Sequence, residues 1–258
     1  MLGAVTGDII GSQYERRRTM ERDFPLFGSR SVFTDDTVLT VAVAAAIVDA
    51  REQDVVGPRY GDFILAFARR WPHAGYGGGF REWMRSPNPQ PYNSWGNGSA
   101  MRVSAIGFAF DSVQEVLGQA ARSAAVTHDH PHGIAGAQAV ALAVYLARTG
   151  ATKAVLKREI ASRFGYELDR HVDDIRKVYS FDVSCQGSVP EAIIAFLEAD
   201  DLEHAIRNAI WLGGDADTQA CIAGAIAEPF FGSIPTSIAA EVNSRIPQEF
   251  AQLLTRIG

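Results

Sequence analysis

The sequence predicts an all-α fold, a compact orthogonal bundle of many helices. Three observations carry that reading. Eight segments place apolar residues at intervals of three and four, no segment shows a convincing strand alternation, and residues suited to helix ends stand at the segment boundaries.

The first segment, 38–50, is an unbroken run of Val, Ala, Leu and Ile apart from Thr40 and Asp49, as expected of a helix buried on most sides. Segment 60–71 repeats Tyr60, Phe63, Ile64, Phe67 and Ala68 along one face, and 112–125 does the same with Val113, Val116, Leu117, Ala120 and Ala124. Segment 133–148 is rich in small residues, with Gly133-Ile134-Ala135-Gly136-Ala137, and Gly150 follows its Tyr145-Leu146-Ala147-Arg148 end. Segment 152–164 carries Leu156, Ile160 and Phe164 at four-residue steps. Segment 190–199 opens on Pro190, which suits a first helical turn, and 202–212 follows with Leu202, Ala205, Ile206, Ala209 and Ile210. The last, 218–228, contains Ala220-Cys221-Ile222-Ala223-Gly224-Ala225, and Gly232 with Pro235 breaks the chain after Phe231. Small residues in two of these segments permit close axial approach, so buried central helices are expected. The least helical stretch is 72–102, with Gly75, Gly77, Gly78 and Gly79 followed by Pro87, Pro89 and Pro91. A loop of that length inside a compact chain is usually functional or disordered.

At 258 residues the chain can bury a sizeable core as one domain spanning 1–258. With 24 Lys and Arg against 30 Asp and Glu, the formal charge of −6 offers no long-range attraction to a nucleic-acid backbone, which disfavours nucleic acid as a partner. Cys185 and Cys221 have neither a metal-ligand spacing nor a disulfide framework and are expected to be packed thiols in a reducing cytoplasm. The start reaches Asp8 after too short an apolar run for a signal peptide, and no stretch approaches the roughly 18 uninterrupted apolar residues of a membrane span.

Two acidic clusters carry the chemical signal. Thr34-Asp35-Asp36-Thr37 precedes the first apolar segment and Asp215-Ala216-Asp217-Thr218 opens the last. A Thr or Asp at a helix start caps free N–H groups and suits the helix dipole, and that role alone accounts for one such residue. Two over-supplied acidic caps exceed it. Brought together, four carboxylates and their threonines form an all-oxygen site for hard cations such as Mg²⁺, Mn²⁺ or Ca²⁺ rather than zinc, and two ions sharing a carboxylate would relieve the mutual repulsion.

Other segments are weaker signals. Gly7-Asp8-Ile9-Ile10-Gly11 has glycines four apart, as where helices or a ligand approach the backbone, with Asp8 divided between helix support and a supporting role at the site. Glu15, close to that motif, is a candidate general acid or base. Gly96, Asn97, Gly98 and Ser99 form a turn able to present backbone N–H groups to phosphate oxygens. His128, His130 and His132 alternate before a helix without a partner cluster, so contact of one of them with a ligand is favoured over zinc. Trp71, Tyr76, Phe80, Trp83 and Tyr92 either line a pocket or pack a loop on the core, and Arg16-Arg17-Arg18 reads as a solvated face.

Taken in order, Gly7-Asp8-Ile9-Ile10-Gly11 with Glu15, Thr34-Asp35-Asp36-Thr37, Gly96-Asn97-Gly98-Ser99-Ala100-Met101-Arg102, Thr127-His128 and Gly213-Gly214-Asp215-Ala216-Asp217-Thr218 resemble the ADP-ribosylglycohydrolase family, which includes the dinitrogenase-reductase-activating glycohydrolases. The segment from Phe181 to Pro190 is similar to its compact bacterial members. The resemblance covers nearly the whole chain. It implies an all-α fold around a binuclear Mg²⁺ or Mn²⁺ centre and hydrolysis of the glycosidic bond between ADP-ribose and an acceptor on a protein or small molecule. Thr34, Asp35, Asp36, Asp215, Asp217 and Thr218 would be metal ligands. Gly96, Asn97, Gly98, Ser99 and His128 would contact ADP-ribose, and Glu15, Asp35 and Asp36 would be the catalytic carboxylates. The acceptor, whether arginine, serine, a nucleobase or a small molecule, is left open. Two other readings stand beside this one: an all-α metal phosphohydrolase built on His128, Asp129 and His73, and a non-catalytic ADP-ribose-binding relative.

Overall fold

A computed structural model describes residues 1–55, 57–232 and 234–257 of the chain. Among them every regular element is helical, apart from one isolated antiparallel bridge between Gly96 and Ser184. The α-helices are α1 (Gly3–Ser12), α2 (Asp35–Glu52), α3 (Tyr60–Arg70), α4 (Gly78–Arg85), α5 (Ser104–Ala109), α6 (Val113–Ala125) and α7 (Pro131–Arg148). They continue as α8 (Lys153–Phe164), α9 (Val172–Val178), α10 (Cys185–Leu197), α11 (Leu202–Leu212), α12 (Ala216–Phe231), α13 (Thr236–Asn243) and α14 (Gln248–Thr255). The all-α class and all eight expected segments are present. Among the described residues no helix is long and apolar enough to cross a membrane.

Differences from the sequence reading fall where helical signals are short or masked. Helix α1 carries three glycines in ten residues and α4 begins on two, so intrinsic propensity speaks against both. Packing holds them, and α4 turns part of the expected 72–102 loop into a helix that buries Phe80, Trp83 and Met84. Helix α10 starts five residues earlier than expected: Ser184 caps it by accepting from the Gly187 N–H at 3.0 Å, which leaves Pro190 inside the helix rather than in its first turn. Helix α12 ends at Phe231, where Gly232 takes a left-handed φ of 100°.

The centre of the bundle is built from helices with little polar face. In α2 every residue from Asp36 to Val48 is buried, and in α12 every residue from Ala216 to Ala227. Such helices surround their own axes with protein, so their amino ends open into the interior. The helix α1 packs more extensively on α12 than any other pair does, through Gly3, Gly7 and Gly11 on one side and Ala216, Ala220 and Gly224 on the other. Side chains of one hydrogen atom or one methyl along both seams let the two backbones touch.

Candidate metal centre and cleft

Two helix amino ends, those of α2 and α12, converge because α1 is fastened to both. Its glycine edge seats it on α12, while Asp8 reaches α2 from the adjoining face. The Asp8 carboxylate accepts from the Thr34 N–H at 2.9 Å, the Thr34 hydroxyl at 2.6 Å, the Thr37 N–H at 3.1 Å and the Thr37 hydroxyl. Thr34 is also the N-cap of α2, accepting from the Asp36 N–H at 3.3 Å. A cap of this kind stabilises a helix by about 1 kcal/mol. Across the junction, the Thr218 hydroxyl donates to Asp36 at 3.2 Å, joining residues 182 positions apart in sequence. The Asp35 N–H donates to the Ala74 carbonyl at 2.7 Å, which lays the start of the glycine-rich segment against the centre.

The assembled carboxylates are under electrostatic load. Oxygens of Asp8, Asp36 and Asp217 all lie within 4.8 Å of one another, and all three residues are buried. Burial, followed by neighbouring carboxylates, pushes Asp36 and Asp217 well above the ordinary Asp range. Burial and then the charge of Asp8 push Asp35 up to about 8. Asp215 is raised by burial, opposed by the Asn97 amide, which donates to it at 2.7 Å. Asp8 is raised by burial in spite of its four donors. One oxygen of Asp36 is buried and accepts no hydrogen bond of ordinary geometry among the described residues. A buried carboxylate oxygen without a partner, among acids that repel each other, is the environment in which a cation lowers the free energy. The donor set is oxygen only, as hard divalent ions require, so the buried acidic group can hold a metal ion.

All of these carboxylates except that of Asp8 form the floor of a cleft of about 300 Å³. Thr34, Asp35, Asp36, Asp215, Asp217 and Thr218 all line it, as do Glu15, Gly96, Asn97, Gly98 and His128. Glu15 stands on the turn after α1 with its side chain 36% exposed, accepting from Arg16 at 3.2 Å. Ser99 is the one expected site residue that does not face the cleft. Its fully buried hydroxyl donates to the Gly133 carbonyl at 2.8 Å and ties the turn to α7. The turn is a single 3₁₀ element, Asn97–Ser99, and two of its N–H groups have protein partners: Gly96 donates to the Ser94 hydroxyl and Asn97 to the Val183 carbonyl at 2.8 Å. Backbone N–H groups that this turn could offer a ligand are therefore not those of Gly96 or Asn97.

Several weaker expectations resolve on the geometry. Of the five aromatics in 71–92, Phe80 and Tyr92 line the cleft. Tyr76 stacks under Phe80 at 4.9 Å, Trp83 packs beside it, and Trp71 meets Phe33 and Phe250 edge-on. Arg16 is exposed, yet it stands at the cleft mouth with its guanidinium 5.2 Å from the Phe181 ring centroid. Arg18 lies against Gly213 at the entry to the second acidic cluster. The phosphohydrolase reading loses its parts: Asp129 accepts from the Asn93 N–H at 2.7 Å as a loop anchor, and His73 is exposed outside the cleft. His130 caps α7 by accepting from the His132 N–H at 3.1 Å, and neither lines the cleft.

Residues that the sequence did not single out support those that it did. Tyr179 donates to the Gly187 carbonyl at 2.6 Å and accepts from Gln219 at 3.0 Å, packing against Gly214 beneath the second acidic cluster. Arg102 and Thr127, which the sequence motifs include without a role of their own, stand behind His128.

Comparison with known proteins agrees with this architecture. The chain matches the ADP-ribosylglycohydrolase family model over residues 1–256. It is 30% identical to the ADP-ribosylhydrolase ARH3 of Mus musculus, over 90% of this chain and 82% of that protein, and 28% identical to ARH3 of Homo sapiens, over 90% and 84%. A solved structure titled ADP-ribosylglycohydrolase-related protein complex superposes with a TM-score of 0.70 at 21% identity, covering 99% of this chain and 95% of that one, a likeness of fold. With the acidic helix ends, the cleft and a family match over residues 1–256, the chain belongs to the ADP-ribosylglycohydrolase family, hydrolases of the glycosidic bonds of ADP-ribose.

Proposed function

We propose that this protein, as a single ADP-ribosylglycohydrolase domain, is a metal-dependent hydrolase that releases ADP-ribose from an ADP-ribosylated protein side chain or small-molecule conjugate. The observation that carries the reading is the meeting of Asp35 and Asp36 with Asp215 and Asp217 on the floor of one cleft, with Thr34 and Thr218 between them. Thr34, Asp35, Asp36, Asp215, Asp217 and Thr218 would hold two Mg²⁺ or Mn²⁺ ions. Ions bound there supply charge stabilisation and orientation of oxygen groups at the scissile sugar.

The chain's own residues supply the remainder. Asp8 fixes the start of α2 through its four hydrogen bonds, and Asn97 fixes Asp215, so the ligand set is held before substrate arrives. Departure of the acceptor builds positive charge at the anomeric carbon and ring oxygen, and the carboxylates of Asp35 and Asp36 face that charge. The leaving atom needs a proton, and a water molecule must add to the anomeric carbon in its place and release one, so the proton count balances. Glu15, on the cleft rim with Arg16 as its side-chain partner, is a carboxylic group in reach of solvent that would pass the proton to the leaving atom. Gly98 and His128 line the wall that would receive the rest of ADP-ribose, while Phe80 and Tyr92 give that wall apolar area.

The acceptor is tested directly. Purified protein with Mg²⁺ is incubated with arginine-, serine- and nucleobase-linked ADP-ribose, and free ADP-ribose is measured by mass spectrometry with an EDTA control. Release from one conjugate, lost in EDTA, is the expected result. Release that EDTA leaves untouched would remove the metal-dependent scheme, and no release from any conjugate would count against hydrolysis of macromolecular substrates.

A further inference from the structure

His128 is held from behind by two buried residues whose hydrogen bonds determine where its proton sits. Arg102 is fully buried, and its Nη2 donates to the Ser123 carbonyl at 2.6 Å and to the Thr127 hydroxyl oxygen at 3.1 Å. Thr127 is also fully buried, and its Oγ1 lies 2.6 Å from His128 Nδ1. Guanidinium groups only donate, so Thr127 Oγ1 is the acceptor in its contact with Arg102. A threonine hydroxyl has one proton, and among the described residues His128 Nδ1 is the only acceptor it meets. Thr127 therefore donates to Nδ1.

The reverse arrangement, with Nδ1–H donating to Thr127, would leave the hydroxyl proton buried without an acceptor. That cost corresponds to a preference of roughly tenfold or more for the first arrangement. A doubly protonated ring would meet the same obstacle and would place a second positive charge near Arg102. Burial and then the charge of Arg102 accordingly push the His128 pKa well below the ordinary histidine range.

The other ring nitrogen faces the cleft turn. A Cβ added to Gly98 would lie 3.3 Å from His128 Nε2, and one added to Gly96 would lie 3.5 Å away. Nε2 makes no hydrogen bond to protein among the described residues, and His128 lines the cleft. We propose that Arg102 and Thr127 are positioning residues that lock His128 as the neutral Nε2–H tautomer, presenting one hydrogen-bond donor beside Gly98 to an acceptor oxygen of the bound ligand. This role excludes His128 as the proton acceptor of the reaction. What the donor meets rests on the cleft being the ADP-ribose site, whereas the tautomer stands on protein contacts alone.

The test is ¹⁵N-detected two-dimensional NMR of the metal-free protein labelled at histidine, with His128→Gln identifying the resonance. The expected pattern for His128 is one protonated Nε2 and one unprotonated Nδ1, with Nε2 shifting on addition of ADP-ribose. Thr127→Val is expected to abolish the fixed pattern and to raise KM about tenfold with kcat changed less than about threefold, as for loss of a binding contact. Thr127→Ser, which keeps the hydroxyl, should restore both. An Nδ1–H pattern in the wild-type protein, or an unchanged pattern in Thr127→Val, overturns the lock. A locked ring whose Nε2 does not respond to ADP-ribose overturns the donor role. Failure of hydrolysis in the conjugate panel with the ring locked and responsive would count against the proposed function alone.

Discussion

Gly7 of α1 approaches Ala220 of α12 so closely that a Cβ on Gly7 would fall 1.9 Å from the Ala220 carbonyl oxygen. Gly3 and Gly11, one turn away on either side, would meet the carbonyls of Gly224 and Ala216 at 2.3 and 2.5 Å. Backbone atoms cannot rotate away as a side chain can, so this seam sets the distance between the two helices. It also sets the distance from Asp8, next to Gly7, to Asp217, next to Ala216. The glycine spacing is thus part of the construction of the metal centre.

Gly7→Ala should therefore destabilise the protein although alanine is the better helix former. Overpacking costs about 1–3 kcal/mol and exceeds the gain in propensity of roughly 1 kcal/mol. Urea denaturation should show the loss, and calorimetric titration should show weaker Mg²⁺ binding as the helices separate. Gly118→Ala is the control, since α6 leaves open space there and the same substitution should be neutral or stabilising. Equal stability of the Gly7 variant and wild type would show that the seam is not tight.

Asp36→Asn separates the cost of the centre from its use. Without metal, removing one charge from a group of mutually repelling buried carboxylates should leave the melting temperature unchanged or raise it, because burial and Asp8 already disfavour that charge. With metal, affinity should fall more than about tenfold and kcat/KM roughly a hundredfold or more. Thermal shift with and without Mg²⁺ reads both. A variant less stable than wild type in EDTA would mean that Asp36 is there for the fold.

The helices were legible wherever apolar periodicity ran for three turns or more, and the two acidic clusters were legible because each supplied more carboxylate than a cap uses. Two facts were not. Asp8 sits in an apolar helix, and nothing local tells a charge facing its own helix neighbours from one that receives Thr34 and Thr37 from another helix 26 and 29 residues on. Ser99 carries the same hydroxyl as a ligand-binding residue, and only the path of α7 past the turn directs it to Gly133. Pro190 misled for a related reason: the Ser184 cap lay six residues upstream, and a proline in a second turn is accommodated once both ends of the helix are fixed.

Glu15→Gln should lower kcat by about 10²–10⁴-fold if this side chain moves the proton to the leaving atom. Its partial exposure and single contact with Arg16 predict little effect on the fold, with stability within about 0.5 kcal/mol of wild type. Steady-state kinetics on the responsive conjugate, together with the affinity for free ADP-ribose, distinguish the roles. A normal kcat with weakened binding would make Glu15 a ligand contact and leave the proton to another group.

Protons and metal ions should compete for the floor of the cleft, and stability should record it. Asp35 rises from 3.8 in its ordinary state to about 8 in the folded, metal-free protein, and Asp36 and Asp217 are shifted in the same direction. A group whose folded pKa is raised gives its full stability below its unfolded pKa and loses it as pH climbs through the folded value. His128 acts oppositely, but its contribution ends near its ordinary value of 6.5. Between pH about 7 and about 9, then, the melting temperature in EDTA should fall. Added Mg²⁺ replaces protons, so its affinity should rise with pH and its stabilising increment should be larger at the alkaline end. Thermal denaturation across that window checks both. A melting temperature that rises with pH in EDTA, or an increment from Mg²⁺ that is the same at both ends, would mean that the carboxylates are ionised without an ion to receive them.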